Sequence, residues 1–231
     1  MKKPNELTVP LQASAATTAL VYSAADDAPT DPGAALILGH GAGASQRSTF
    51  MVDFAHGLSA LGIDVITFNF LYTEQGRRIP DRAPALESCF RAVIDRVRAE
   101  VDSAQQSLFI GGKSMGGRIA SQVAAADAAL PIAGLVLLGY PLHPPGKPDE
   151  RRDKHLPAIA RPMLFVQGTR DAFGTPAELA PLVDALQPPP ALHVVAQGDH
   201  SFKLARKDPV AQAALYAELQ QVIAAWIRSA P

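Results

Sequence analysis

The residues best suited to chemistry in this chain are a serine held between glycines. In Gly111-Gly112-Lys113-Ser114-Met115-Gly116-Gly117 the serine follows an apolar run, Ser107 to Gly111, that reads as a strand, and it precedes a stretch of helical character, Arg118 to Ala128. A serine on such a sharp strand-to-helix bend is lifted above the sheet, and the bend admits only small residues two positions before and after it. Gly112 and Gly116 meet that need. The start of the next helix then aims free N–H groups at any anion that develops on a substrate oxygen. The same letters also end the phosphate-binding pattern G-x-x-x-x-G-K-[ST], but its first glycine would fall at Ser107. Leu108, Phe109 and Ile110 read as a buried strand, where a nucleotide-binding protein needs a loop of backbone donors.

A serine hydroxyl is a weak nucleophile at neutral pH, so it needs a general base, and the base needs a partner to fix its tautomer. In sites built on a strand-to-helix bend the order along the chain is serine, then an acid, then histidine, each at the C-terminal edge of a strand. Asp171, in Gly168-Thr169-Arg170-Asp171, and His200, in Gly198-Asp199-His200-Ser201, follow that order. Asp199 is a weaker candidate for the acid, because an immediate neighbour reaches Nδ1 of His200 awkwardly. Of the other histidines, His56 falls in a helix, His193 in a strand, and His143 and His155 in a polar loop. His40-Gly41-Ala42-Gly43 follows another strand, and its Ala42 N–H is expected to pair with the Met115 N–H as an oxyanion hole. The alternative for that motif is a plain glycine turn.

The elements that must position these residues are legible as alternating short apolar runs and longer helical stretches, the pattern of βαβ units around a mostly parallel sheet. The strand candidates are Ala34 to Leu38, Asp64 to Phe68, Ser107 to Gly111, Gly134 to Leu138, Met163 to Gln167 and Leu192 to Ala196. Leu86, Phe90, Val93, Ile94, Val97 and Val101 recur at three and four residues, one face of a helix with Pro84 in its first turn. Thr175-Pro176 and Asp208-Pro209 each supply an N-cap and a first-turn proline for two further helices. Leu179, Leu182, Val183 and Leu186 form the stripe of the first. Leu215, Leu219, Val222, Ile223, Trp226 and Ile227 form that of the second. Residues 7–12 and 17–23 are expected to pair antiparallel at one edge of the sheet.

The length of 231 residues fits one α/β domain, and the 48% apolar and 19% charged residues are those of a chain with a packed core. A net charge of -1 gives no basic field to attract nucleic acid or an anionic membrane. No run approaches the roughly 20 apolar residues that span a bilayer. Lys2 and Lys3 precede a mildly apolar stretch, which Pro10 and Gln12 break before it could act as a secretion signal. Cys89 is the single cysteine, so there is no internal disulfide and no cysteine-based metal cluster. A cytoplasmic location is the expectation.

Taken together, His40 to Gly43, Gly112 to Arg118, Gln167 to Asp171 and Gly198 to Phe202 resemble the α/β-hydrolase superfamily over nearly the whole chain. Within it they look like the small hydrolase-like type that includes testis-expressed and NSL-complex-subunit domains, near the dienelactone hydrolases. The resemblance implies an α/β-hydrolase fold and a serine hydrolase with Ser114, Asp171 and His200 as its triad, working without metal or cofactor. Dienelactone hydrolases use a cysteine where this chain has Ser114. Only Pro141 to Pro157 occupies the place where many relatives insert a helical lid, so small acyl substrates are expected over lipids. A loop from Tyr72 to Arg82 should reach the same edge of the sheet. Its Arg77, Arg78 or Arg82 could meet an acidic group on the substrate, or could instead be solvated or paired with Glu74 and Asp81. A thioesterase, a peptidase or a binding domain without turnover would carry the same motifs.

Overall fold

The computed structural model describes residues 3–11, 15–25 and 33–230. Positions 2 and 12, which entered the reading of the N-terminus and of the first strand, lie outside them. Eight strands form one sheet in the order β1-β2-β4-β3-β5-β6-β7-β8. They are β1 Asn5–Pro10, β2 Ala16–Tyr22, β3 Ala34–Gly39, β4 Ile63–Phe68, β5 Ser107–Lys113, β6 Gly134–Leu138, β7 Met163–Gly168 and β8 Ala191–Val195. From β4 to β8 every neighbouring pair is parallel, while β1–β2 and β2–β4 are antiparallel. The expected antiparallel edge pair is therefore present.

Apolar residues fill both faces of the central strands, as a parallel sheet covered on two sides requires. On one face Leu86, Phe90, Val93 and Val97 of α3 (Ala83–Glu100) pack with Ile119 and Val123 of α5 (Met115–Ala125) against Ile37, Ile110 and Leu137. On the other face α1 (Thr49–Ala60) and α7 (Pro209–Ser229) bring Met51, Phe54, Leu219 and Ile223 onto Leu36, Phe109 and Val136. The short helices α2 (Leu71–Glu74) and α4 (Asp102–Gln106) complete the connections. The caps read from the sequence form. Thr175 and Glu178 make a capping box on α6 (Pro176–Ala185), and the Asp208 carboxylate accepts from the N–H groups of Val210 and Ala211. No helix among the described residues is long and apolar enough to cross a membrane.

Two expectations need correction. The helix after the serine starts at Met115 and ends at Ala125, not at Arg118 and Ala128, because the chain turns directly from strand to helix at Ser114 with no linker. Weak helix formers at Gly116 and Gly117 hide that start in the sequence. The loop after β6 is also less polar in its setting than its composition suggests. Tyr140, Leu142, Leu156 and Ile159 are buried, the loop carries a 3-10 turn at Leu156–Ala158, and no lid is built from it.

The glycines of the bend are fixed by the neighbouring strand. A Cβ on either Gly112 or Gly116 would overlap the carbonyl oxygen of Gly39 at the end of β3. Gly146, by contrast, has a positive φ of 74° and nothing within 4 Å of an added Cβ. Gly116→Ala should therefore lower stability by about 3 kcal/mol, the upper range for overpacking, and Gly146→Ala by about 1 kcal/mol, the cost of a left-handed non-glycine residue. Urea denaturation of the two variants beside the wild type checks the difference.

Candidate active site

The N–H of Ser114 donates to the Leu138 carbonyl at 2.9 Å, extending the sheet by one bond past β5. The backbone then reverses. Ser114 has φ 52° and ψ -114°, a conformation that costs a side-chain-bearing residue roughly 1–3 kcal/mol. This turn presents Oγ to the space above the strands' C-terminal ends.

Asp171 and His200 meet the serine there. Ser114 Oγ lies 2.8 Å from His200 Nε2, and His200 Nδ1 lies 2.8 and 2.9 Å from the two carboxylate oxygens of Asp171. An ionised carboxylate only accepts, so Nδ1 carries the proton and Nε2 is left to receive the serine hydroxyl's. The Asp171 side chain is fully buried. Its charge is compensated by further donors: the Phe173 N–H at 2.8 Å and Gln167 Nε2 at 2.9 Å. Gln167, also buried, is fixed in turn by the Tyr140 N–H, which donates to its Oε1 at 2.8 Å. The Phe173 ring stacks on the imidazole with centroids 4.1 Å apart. Neither Gln167 nor Phe173 carried a role in the sequence reading. Their signal was only their closeness to Asp171.

Asp199 does not approach the imidazole as a partner. Its Oδ1 accepts from the N–H groups of Ser201 and Lys203, holding the tight loop that carries His200. Two histidines of the loop after β6 have other partners. His143 pairs with Glu178, and His155 Nε2 lies 2.8 Å from the buried Ser121 hydroxyl, tying the loop after β6 to α5. Burial, with the Arg118 charge next, pushes His155 down to about 4, so it is neutral.

His40 is wholly buried, and burial lowers its pKa. The Phe70 N–H donates to its Nε2, so Nδ1 holds the proton and donates to the Gly41 carbonyl at 2.8 Å. The imidazole thereby fixes the loop that carries Ala42. Ala42 and Met115 line the same cavity as Ser114 and His200. The cavity is open to solvent and measures about 600 Å³. Pro80, Asp81 and Leu86 form one side of it, Phe50 and Met51 another.

Arg77 and Arg78 are not brought to this cavity. The Arg77 guanidinium is held by Asp81, at 2.7 Å, and by Gln75. Both arginines line a separate shallow recess with Gly43, Ser45 and Gly76. The loop reaches the expected edge, but it turns Pro80 and Asp81 to the site. Glu74 is used by Thr18 and Asn69, not by an arginine. The cations on the cavity wall are instead Lys113, Arg118 and Arg152. Lys113 is buried with its Nζ 5.9 Å from the centre of the Phe50 ring. Burial lowers its pKa to about 8 despite the opposing pull of Asp171 and Asp199.

A family model described as an alpha/beta hydrolase domain matches residues 32–228. Among solved structures, XC6422 from Xanthomonas campestris, described as an α/β serine hydrolase without a lid, is 22% identical with a TM-score of 0.71, covering 100% of this chain and 98% of its own. A dienelactone hydrolase from Anabaena variabilis is 20% identical with a TM-score of 0.74 and 99% of each chain covered. The esterase domain of a Rhodothermus marinus protein is 16% identical with a TM-score of 0.72, again over 99% of each chain. At these identities the likeness is one of fold.

A lysine whose folded pKa lies below its ordinary value destabilises the fold wherever it is charged. The penalty is complete below about pH 8 and is relieved as pH rises from about 8 toward the unfolded value of 10.5. Lys113→Met should therefore raise stability at pH 7 by on the order of 2–3 kcal/mol. The gain should shrink between pH 8 and 10.5. Urea midpoints of wild type and variant across that range measure it.

Proposed function

Because the chain belongs to the alpha/beta hydrolase domain family, we propose that it is a serine hydrolase cleaving small ester-type acyl substrates, with Ser114, His200 and Asp171 as its triad. The observation that carries the reading is the continuous hydrogen-bond chain from Ser114 Oγ through His200 to Asp171 at an open cavity. Ser114 attacks the carbonyl carbon as His200 Nε2 takes the hydroxyl proton. The carbonyl oxygen becomes an anion facing the Ala42 and Met115 N–H groups. His200 next gives its proton to the leaving oxygen, and the ester bond breaks to leave an acyl-serine. Water, activated by the same imidazole, releases the acid and restores the serine. Asp171 holds His200 in the tautomer that can accept and steadies its cation. No step calls for a metal or an organic cofactor.

The open cavity and the absence of a lid among the described residues favour small or exposed acyl groups over long lipid chains. Within the family we read the chain as the small hydrolase-like type that includes testis-expressed and NSL-complex-subunit domains, on the motifs around His40, Ser114, Asp171 and His200. One sheet carrying every site residue supports a single-domain reading. We assign it to the cytoplasm, on its single cysteine, a buried thiol that burial pushes up to about 12 and so keeps unreactive.

A fluorophosphonate probe should add once to the wild type and not to Ser114→Ala, read by intact mass. Hydrolysis of 4-nitrophenyl acetate should fall by at least about 10⁴-fold in the same variant. A folded wild type that neither labels nor turns over would leave a binding domain as the reading.

A further inference from the structure

The cavity carries two cations that the proposed acyl transfer does not use. Arg118 lies in the first turn of α5, its N–H bonded to the Ser114 carbonyl at 3.0 Å, and its side chain lines the same cavity as Ser114. Arg152 comes from the loop after β6 and lines the same wall. Its backbone is pinned on both sides: its N–H donates to the Leu142 carbonyl at 2.8 Å, and its carbonyl accepts from the buried Tyr140 hydroxyl at 2.7 Å.

Neither guanidinium has an acidic partner among the described residues. The one side-chain bond of Arg118 is to Gln122 Oε1 at 3.3 Å. Asp81, on the cavity wall, is engaged with Arg77, and Asp153 with Arg151, while Glu87 of α3 acts on Arg118 through its charge but makes no ion pair with it. Elsewhere arginines find carboxylates readily, as in Arg47–Glu6, Arg91–Asp127 and Arg96–Glu100. The two cavity arginines also repel each other. Burial first, and then the charge of Arg152, lower the pKa of Arg118. Two like charges beside a cavity, neither in an ion pair among the described residues, make a ready site for an anion, and guanidinium forks suit the planar carboxylate.

We propose that Arg118 and Arg152 form a carboxylate-binding subsite, so that the preferred substrates are short esters bearing a free carboxylate near the scissile bond. The inference rests on Ser114 being the nucleophile. Ser114, Arg118 and Arg152 line one cavity, so a half-ester with a short chain between its two carboxyl carbons is the substrate to test. The subsite differs from the one expected at Arg77 and Arg78, which hold Asp81 and the neighbouring recess.

The test compares mono-4-nitrophenyl glutarate, which is anionic at pH 7, with neutral 4-nitrophenyl butyrate. The wild type should favour the glutarate ester in kcat/KM. Arg118→Met and Arg152→Met should each lower the glutarate-to-butyrate ratio by roughly 10- to 100-fold, mainly through KM, and Arg118→Lys should recover part of the loss. Thermal melts verify that each variant is folded, and Arg152→Gln on the loop serves if Arg118→Met is not. Equal losses for both esters, or a wild type indifferent to the charge, would overturn the subsite. Calorimetric titration of glutarate into Ser114→Ala separates the two ideas. Binding that disappears on adding Arg152→Met supports the subsite even if no ester is turned over, whereas absent binding, when the wild type labels at Ser114, defeats the subsite alone.

Discussion

The site depends on one close approach, that of the β5–α5 bend to the end of β3. Gly112 and Gly116 pass so near the Gly39 carbonyl that neither has room for a Cβ. With those glycines in place the chain can reverse at a single residue, and Ser114 accepts a positive φ that it would otherwise avoid. The strain is sustained because the surrounding sheet determines both ends of the turn: β5 is paired with β3 and β6, and α5 is packed on α3. The same bend leaves the Met115 N–H at the helix start and sets Arg118 in the first turn of α5, its N–H on the Ser114 carbonyl. The turn at Ser114, the start of α5 and part of the cavity wall thus descend from one backbone contact.

A second constraint is the buried carboxylate of Asp171. An unpaired charge there would be costly, and the fold meets the cost with His200, the Phe173 N–H and Gln167. Gln167 closes a small network, since its amide also donates to the carbonyls of Gly174 and Tyr140. The ends of β6 and β7 are held together in this way, and His200 is aimed from the loop after β8. Asp199 and the positive φ of Gln197 and Phe202 shape that loop, while the Tyr216 hydroxyl on α7 fixes the Ser201 carbonyl. The geometry at the serine therefore draws on elements across half of the sheet.

The charges around the cavity differ in how they are balanced. Asp171 is neutralised locally, whereas Lys113, Arg118 and Arg152 have no carboxylate bound to them among the described residues. Lys113 meets an aromatic ring, on the side of the sheet covered by α1. The two arginines stand on the side covered by α3 and α5. The wall is apolar at Leu86 and Pro141 and cationic beside them.

Much of this was legible in the sequence, because it was written in local patterns. Six apolar runs marked the parallel strands, proline and capping residues marked the starts of α3, α6 and α7, and the order of Ser114, Asp171 and His200 along the chain singled out three residues from many. Backbone sterics and periodicity act over a few residues, so a linear reading captures them. It could not assign Gln167, whose importance lies in which groups meet its amide, nor the fixing of the Gly41 carbonyl by His40. It also directed the arginine search to Arg77 and Arg78, since their loop runs to the right edge of the sheet. Which way each side chain turns depends on partners distant in the chain or on competition among neighbours: Asp81 holds Arg77, while Arg118 and Arg152 meet only when α5 and the loop after β6 pack together. The sequence by itself determined the architecture and the order of Ser114, Asp171 and His200 along the chain; the tertiary structure alone decided which charges face the cavity, because that depends on how α5 and the loop after β6 pack together.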